Sequence, residues 1–265
     1  MKTLTKPIFL CGLGLIMLLL IGEVDAASSD AIADLPPAPH IVFLISKDEN
    51  NYEAHRTIPK FARQLQKRWG YETSVLLGKG PRTAYAFSDM EVIKRADVLV
   101  VFCRRLALQP DQLEYIRDHL NEGKPLVGIR TANHAFSLRD TIEPGFLDWW
   151  DFVPDVLGCI NQGYGPVDPG TAVKVVSKNE AHPILKNLPS QWHSQGNVYK
   201  VEMVDNQALI LLQGSFGDHT EPIAWVREMD QGSEVFYTSL GYPKDFSDDH
   251  FRTLLINAFQ YLLEK

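Results

Sequence analysis

Four groups of polar side chains carry the residue types that proton transfer or anion binding requires. The first is Asp48, Glu49, Tyr52 and His55, and the second is Arg130, Thr131, Asn133 and His134. The third is Asp218, His219 and Glu221, and the fourth is Gly241, Tyr242, Asp245 and His250. An arginine beside a histidine and several carboxylates can clamp a carboxylate, a phosphate or a polyol and move a proton. Each group also has a plainer reading. Asp48 can cap the segment after it, and capping is the favoured role for Asp245 and Asp248. The second group is the strongest, because two cationic side chains are expensive to hold beside a buried sheet unless something pairs them.

Other chemistries find less support. No cysteine follows the Leu126–Ile129 run, where a strained strand-to-helix turn would expose a nucleophile. Cys103 precedes Arg104 and Arg105, whose charges could activate its thiol, but a small buried cysteine is the favoured reading. The eight histidines show no metal-ligand spacing, so no metal is expected. The polar segment after Ile45 has no glycine, which argues against a dinucleotide or phosphate loop, and no cofactor is implied.

These side chains need elements to hold them. Ile41 to Ile45, Ala96 to Phe102 and Leu126 to Ile129 are apolar runs that read as strands buried on both faces. Between them, Ile58, Phe61, Ala62, Leu65 and Trp69 recur at helical spacing up to Gly70, with Pro59 near the first turn. Tyr71 to Leu77 reads as a strand, Met90 to Lys94 as a short helix, and Pro110 to Leu120 as a helix closed by Gly123. Strands alternating with such helices predict βαβ units and a parallel sheet, with ligands beyond the strand carboxyl ends. From 138 to 169 the chain is rich in Pro, Gly and Trp, and reads as an elaborated connection packed on the sheet by Trp149, Trp150 and Phe152. Its aromatics could equally wall a pocket. Segments 171–176, 197–203, 208–212, 221–226 and 233–238 read as further strands, and the apolar face from Phe251 to Leu262 as a closing helix.

The N-terminus has its own logic. Lys2 and Lys6 precede an apolar stretch over 8–21, and Val24-Asp25-Ala26 offers small residues for cleavage after Ala26. This predicts a signal peptide over 1–26, a flexible leader over 27–39, and one domain over 40–265 in a periplasmic or secreted protein. An uncleaved anchor is the alternative, but the apolar stretch is short for a span of about 20 residues. Setting aside signal and leader leaves about 225 of the 265 residues as domain, enough for one sizeable core, with Cys103 and Cys159 its only cysteines. A bridge between those two stays open. The net charge of −7 and the lack of a long basic run speak against nucleic acid as a partner. No stable membrane span is expected after cleavage, and a homodimer is compatible with the sequence.

Several strings together resemble the ThuA-like (trehalose utilisation) family. They are Leu44-Ile45-Ser46-Lys47-Asp48-Glu49, Gly123 to Phe136, Ala181-His182-Pro183-Ile184, Glu221-Pro222-Ile223-Ala224-Trp225 and Val235-Phe236-Tyr237-Thr238-Ser239-Leu240-Gly241. With Arg130 where other branches tend to carry His, the chain is similar to exported forms of planctomycete type. The resemblance implies a flavodoxin-like, class I glutamine amidotransferase-like three-layer α/β sandwich without the amidotransferase nucleophile. It also implies a ligand region at the 128–136 and 236–242 strand ends, and a carbohydrate-derived small molecule, trehalose or a keto-sugar derivative in particular. Relatives often carry a histidine- and glycine-rich loop that matches 161–166 here, where no histidine stands.

Two functional expectations follow, with a third beside them. As an enzyme, His134 would be acid or base, Glu49 or Glu221 its charge partner, and Arg130 an oxyanion or carboxylate clamp. Asp48, Tyr52, Asn133, Trp149, Tyr164, His219 and Tyr242 would bind the ligand. As a binding protein, Trp149, Trp150 and Tyr164 would stack on a sugar ring without turnover. As an assembly partner, the pocket would be degenerate and an apolar patch exposed.

Overall fold

His40–Ile45 is a run of six buried residues, mostly β-branched or aromatic, and it forms β1, the second strand from one edge of a nine-stranded sheet. The structure, a computed structural model, describes residues 37–265. The signal peptide expected over 1–26, and the leader as far as residue 36, lie outside the described residues. In chain order follow α1 (Ala54–Trp69), β2 (Glu72–Leu77), β3 (Val98–Phe102), α2 (Pro110–Asn121) and β4 (Leu126–Ile129). Beyond them come β5 (Cys159–Tyr164), β6 (Thr171–Val175), β7 (Gln191–Ser194), β8 (Tyr199–Met203) and β9 (Leu209–Phe216). The chain ends with β10 (His219–Glu228), β11 (Glu234–Thr238) and α3 (Asp249–Leu263).

The sheet order is β2-β1-β3-β4-β11-β10-β9-β6-β7. The first five strands are parallel to their neighbours, and the remaining four extend the sheet antiparallel. Alternate residues of each strand feed two cores. Ile41, Phe43 and Ile45 meet Ile58, Leu65, Leu255 and Phe259 of α1 and α3. Val42 and Leu44 meet Leu113 and Ile116 of α2, with Phe152, Trp225 and Tyr237. Each aromatic or aliphatic side chain so buried contributes about 2 kcal/mol. This is the expected α/β sandwich with a mostly parallel centre.

Three local readings differ from expectation. α1 begins earlier than the apolar spacing suggests, at Ala54, so Pro59 lies inside the helix rather than at its first turn. The 161–166 segment is not a loop: β5 and β8 pair as a separate antiparallel ribbon. β7 is a short, largely exposed edge strand whose polar sequence carries no strand signal.

The segment between β4 and β6 is tied down at several points. Leu108 and Leu147 exchange backbone hydrogen bonds at 2.9 and 2.8 Å, and Trp149 N donates to Phe136 O at 2.9 Å. Arg227 of β10 donates to Asp205 Oδ2 at 2.5 Å and to Val156 O at 2.9 Å. Trp225 Nε1 donates to Leu157 O at 2.8 Å. The half-buried Arg227, oriented by Asp205, and the buried Trp225 indole thus hold this connection against one face of the sheet.

Candidate active site

The carboxyl ends of β1, β3 and β4 carry four non-glycine residues with left-handed backbone. They are Tyr52 (φ 49°), Glu53 (φ 52°), Arg105 (φ 52°) and Arg130 (φ 47°). Such conformations cost of order 1 kcal/mol or more each and concentrate where function holds them. β4 can turn so sharply because Gly128 lets it pack closely. A Cβ there would lie 3.0 Å from the Tyr237 ring and 3.1 Å from Leu157.

Arg130 occupies the strand-to-helix turn where a nucleophile would sit in an elbow motif. Its side chain is fully buried. Nη1 donates to Ser239 O at 2.7 Å and Nη2 to Asn197 Oδ1 at 2.5 Å, while its own carbonyl accepts from Tyr237 Oη at 2.8 Å. The guanidinium carbon lies 3.9, 4.8 and 5.6 Å from the ring centres of Tyr52, Tyr199 and Tyr242. Burial opposes its charge, but Tyr199, Tyr52 and the Asp245 carboxylate outweigh that and raise its pKa. Arg130 is therefore sealed within the protein by the rings around it rather than presented as a clamp. Asp245 is buried as well, accepting from Gly241 N, Tyr242 N and Ser194 Oγ, and Asp248 caps α3 by accepting from His250 N.

Four residues further round the turn, His134 lines a cleft of about 290 Å³ together with Arg105, Asn133, Arg139, Trp150 and Asn161. Its Nδ1 donates to Asn133 Oδ1 at 2.6 Å, which leaves Nε2 as the acceptor of a neutral imidazole. Burial first, then the charges of Arg105, Arg104, Arg139 and Arg130, push its pKa well below the ordinary imidazole value. Tyr164 and Tyr199 pack on the ring at centroid distances of 6.1 and 5.9 Å. Arg105, only 7% exposed, donates from Nη1 to Ser137 O at 2.9 Å. The amide nitrogens of Asn133 and Asn161 are buried and have no hydrogen-bond partner among the described residues.

The other expected site residues fall in different places. Neither Glu49 nor Glu221 bonds to His134. Glu49 is exposed, and Glu221 accepts from Val201 N at 3.3 Å. Asp48 pairs with Arg104 at 3.4 Å and accepts from Asn50 N. Tyr52 and Tyr242 pack on each other at 5.8 Å over Arg130. His219 is exposed at the start of β10 and stacks on Phe216 at 5.1 Å. Trp149 turns to Phe136 and Phe152, with the Arg117 guanidinium 4.6 Å from its ring, so the cleft wall is Trp150, which is 50% exposed. Cys103 and Cys159 are free and buried, and no bridge joins them.

The family model described as ThuA, trehalose utilisation, matches residues 42–262. The chain belongs to the ThuA family. A ThuA-like protein from Bacteroides uniformis is 17% identical with a TM-score of 0.62, covering 86% of this chain and 94% of that one. A ThuA-like protein from Parabacteroides merdae is 14% identical with a TM-score of 0.63, covering 85% of this chain and 90% of that one. The cold-adapted β-galactosidase of a Rahnella species is 12% identical with a TM-score of 0.55, over 83% of this chain but 31% of that one. At these identities the likeness shows a shared fold, an α/β sandwich with a mostly parallel central sheet. No curated protein matches the sequence.

Within this ThuA fold several residues of the site gave no signal of their own. Asn51 is one. Its Nδ2 donates to Ser46 O at 2.9 Å and Phe102 O at 2.8 Å, and its Oδ1 accepts from Thr131 Oγ1 at 2.5 Å. It clasps the ends of β1 and β3 to the turn after β4. Arg105, Asn161, Asn197 and Tyr199 are others, each brought in by a distant part of the chain.

Proposed function

We propose that this ThuA protein moves a proton on a keto-sugar, with His134 as the base and no covalent intermediate. His134 Nε2 takes the proton from the carbon beside the carbonyl, and the bond's electron pair passes to the carbonyl oxygen. The Asn133 and Asn161 amides are the donors for that oxygen as it becomes an enolate, with the Arg105 charge nearby. Return of the proton to the former carbonyl carbon, with the hydroxyl proton passing from the neighbouring oxygen to the enolate oxygen, isomerises the sugar. Collapse of the enolate with loss of a hydroxyl one carbon further on, which leaves as water with the proton held by His134, gives elimination. The observation that carries this reading is the His134–Asn133 bond. It fixes the tautomer, while burial and the surrounding arginines keep the imidazole neutral, so that the free nitrogen can accept in a cationic cleft. The family's description, trehalose utilisation, supports a sugar as the substrate class. The same reading has the protein exported, with cleavage after Ala26.

The test is solvent deuterium exchange followed by proton NMR. Fructose and a keto derivative of a glucoside, incubated with the protein in D₂O, are expected to lose the signal of the proton beside the carbonyl. His134→Gln is expected to lower that rate at least a hundredfold. Exchange unaltered in the variant would overturn His134 as the base. Binding without exchange would leave a carbohydrate-binding protein, a role the exposed face of Trp150 would serve.

A further inference from the structure

The charges of the cleft do not balance. Arg105 is 7% exposed and makes no ion pair among the described residues, and neither does Arg139 on the rim. The single carboxylate lining the cleft among the described residues is Asp151, which is exposed. A buried guanidinium without an anion is costly, and so is each buried amide without an acceptor. Here the three coincide: Arg105 with its left-handed backbone, Asn133 and Asn161 line one space, and the buried Nδ2 of each asparagine lacks an acceptor among the described residues. All are donors, and they want an acceptor that carries charge.

We propose that the ligand of this cleft is a single sugar ring bearing one carboxylate, a uronic or keto-aldonic acid, rather than a neutral disaccharide. This rests on the cleft being the site described above, and deepens it by naming the substrate class. Size points to one ring. A space of about 290 Å³ is at the small end for enclosed ligands. The planar fork of Arg105 suits a carboxylate, with Nη1 spent on Ser137 O, the Tyr164 hydroxyl beside the guanidinium, and no carboxylate paired with it among the described residues. Charge points to a monoanion. One buried guanidinium neutralises one negative charge, while Arg139 is exposed and screened by water. Trp150 offers a flat apolar face for the ring.

Titration calorimetry of the purified protein with glucuronate, its methyl ester, glucose 6-phosphate and acetate tests this. Glucuronate is expected to bind at least tenfold more tightly than the ester, with acetate weaker still. Arg105→Met is expected to abolish the preference for acid over ester. Equal binding of acid and ester, tighter binding of the phosphate, or binding of none of them would overturn the carboxylate assignment. The comparison of acid with ester uses the wild-type protein, so it stands whether or not the variant folds. If deuterium exchange fails while glucuronate is preferred, the proton-transfer reading falls alone. If exchange occurs but acid and ester bind alike, the carboxylate falls alone.

Discussion

The guanidinium carbon of Arg130 lies 3.9 Å from the centre of the Tyr52 ring. Tyr52 follows β1 and Arg130 follows β4, so this contact joins two strand ends that flank β3 in the sheet. The other partners of Arg130 come from the Asn197 segment and from Ser239 after β11. At a turn where a nucleophile would stand in other folds, this chain has a buried cation that bolts four segments together. The function proposed above puts the chemistry four residues on, at His134. On that proposal, structure falls to Arg130 and chemistry to His134 within one short turn.

Arg130 should accordingly be read by stability. Arg130→Met leaves Asn197 Oδ1 and Ser239 O without their donor, which costs about 3 kcal/mol. Arg130→Lys keeps the charge but cannot span both acceptors from one planar group, and should lose about 2 kcal/mol. Urea unfolding checks both, as a lower midpoint at unchanged slope. A wild-type midpoint in Arg130→Lys would show that the fork is not what matters.

Asn51 and Thr131 should behave as one unit. Thr131→Val removes the donor to Asn51 Oδ1 and should cost about 1 kcal/mol. Asn51→Leu removes that acceptor together with the donors to Ser46 and Phe102, and should cost about 3 kcal/mol. The double variant should be less destabilised than the sum, because the shared bond is counted in both single changes. Denaturant unfolding of the four proteins gives this coupling directly, and strict additivity would refute it.

The parallel core was legible because its information is local. β1, β3 and β4 are apolar runs long enough to be strands and too short to be helices, and β4 ends in the polar turn that the sequence singles out. β5 was not legible. Its sequence, Cys-Ile-Asn-Gln-Gly-Tyr, carries turn formers, and it is a strand only because β8 arrives to pair with it. The same holds at the site. His134 and Asn133 are neighbours in sequence, so their grouping was visible. Arg105, 29 residues away by number, meets them because its N donates to His134 O at 3.0 Å. Glu49 and Glu221 have the right chemistry but no such tether to the cleft, and residue type alone cannot supply one.

Stability should depend on pH through the buried histidines. His134 is held well below the ordinary imidazole value by burial and four arginines, and His119 is lowered chiefly by burial. Each is therefore neutral in the folded state over a range where the unfolded chain binds a proton. That contribution is complete above the unfolded value of about 6.5 and is lost as pH falls below it. The urea midpoint should drop between pH 7 and 5, and less steeply in His134→Gln. An equal slope in the variant would mean that the proton uptake lies elsewhere. Bound carboxylate should oppose the trend, since an anion beside the ring favours its protonated form.

The two cysteines should be silent until the protein unfolds. Burial pushes the Cys159 thiol up to about 12, against the opposing pull of Arg227. Burial raises Cys103 further, and its Sγ donates to Leu44 O at 3.3 Å. The neighbouring Arg104 and Arg105 do not activate it, because Arg104 engages Asp48 and Arg105 turns into the cleft. Nucleophilicity needs the thiolate, and neither group supplies it near neutral pH. Iodoacetamide at pH 8 should label neither residue in the native protein and both in urea. Cys103→Ala should leave deuterium exchange of a keto-sugar unchanged while costing about 1 kcal/mol of stability. Fast labelling of native Cys103, or loss of exchange in a folded Cys103→Ala protein, would return the chemistry to a cysteine and remove it from His134.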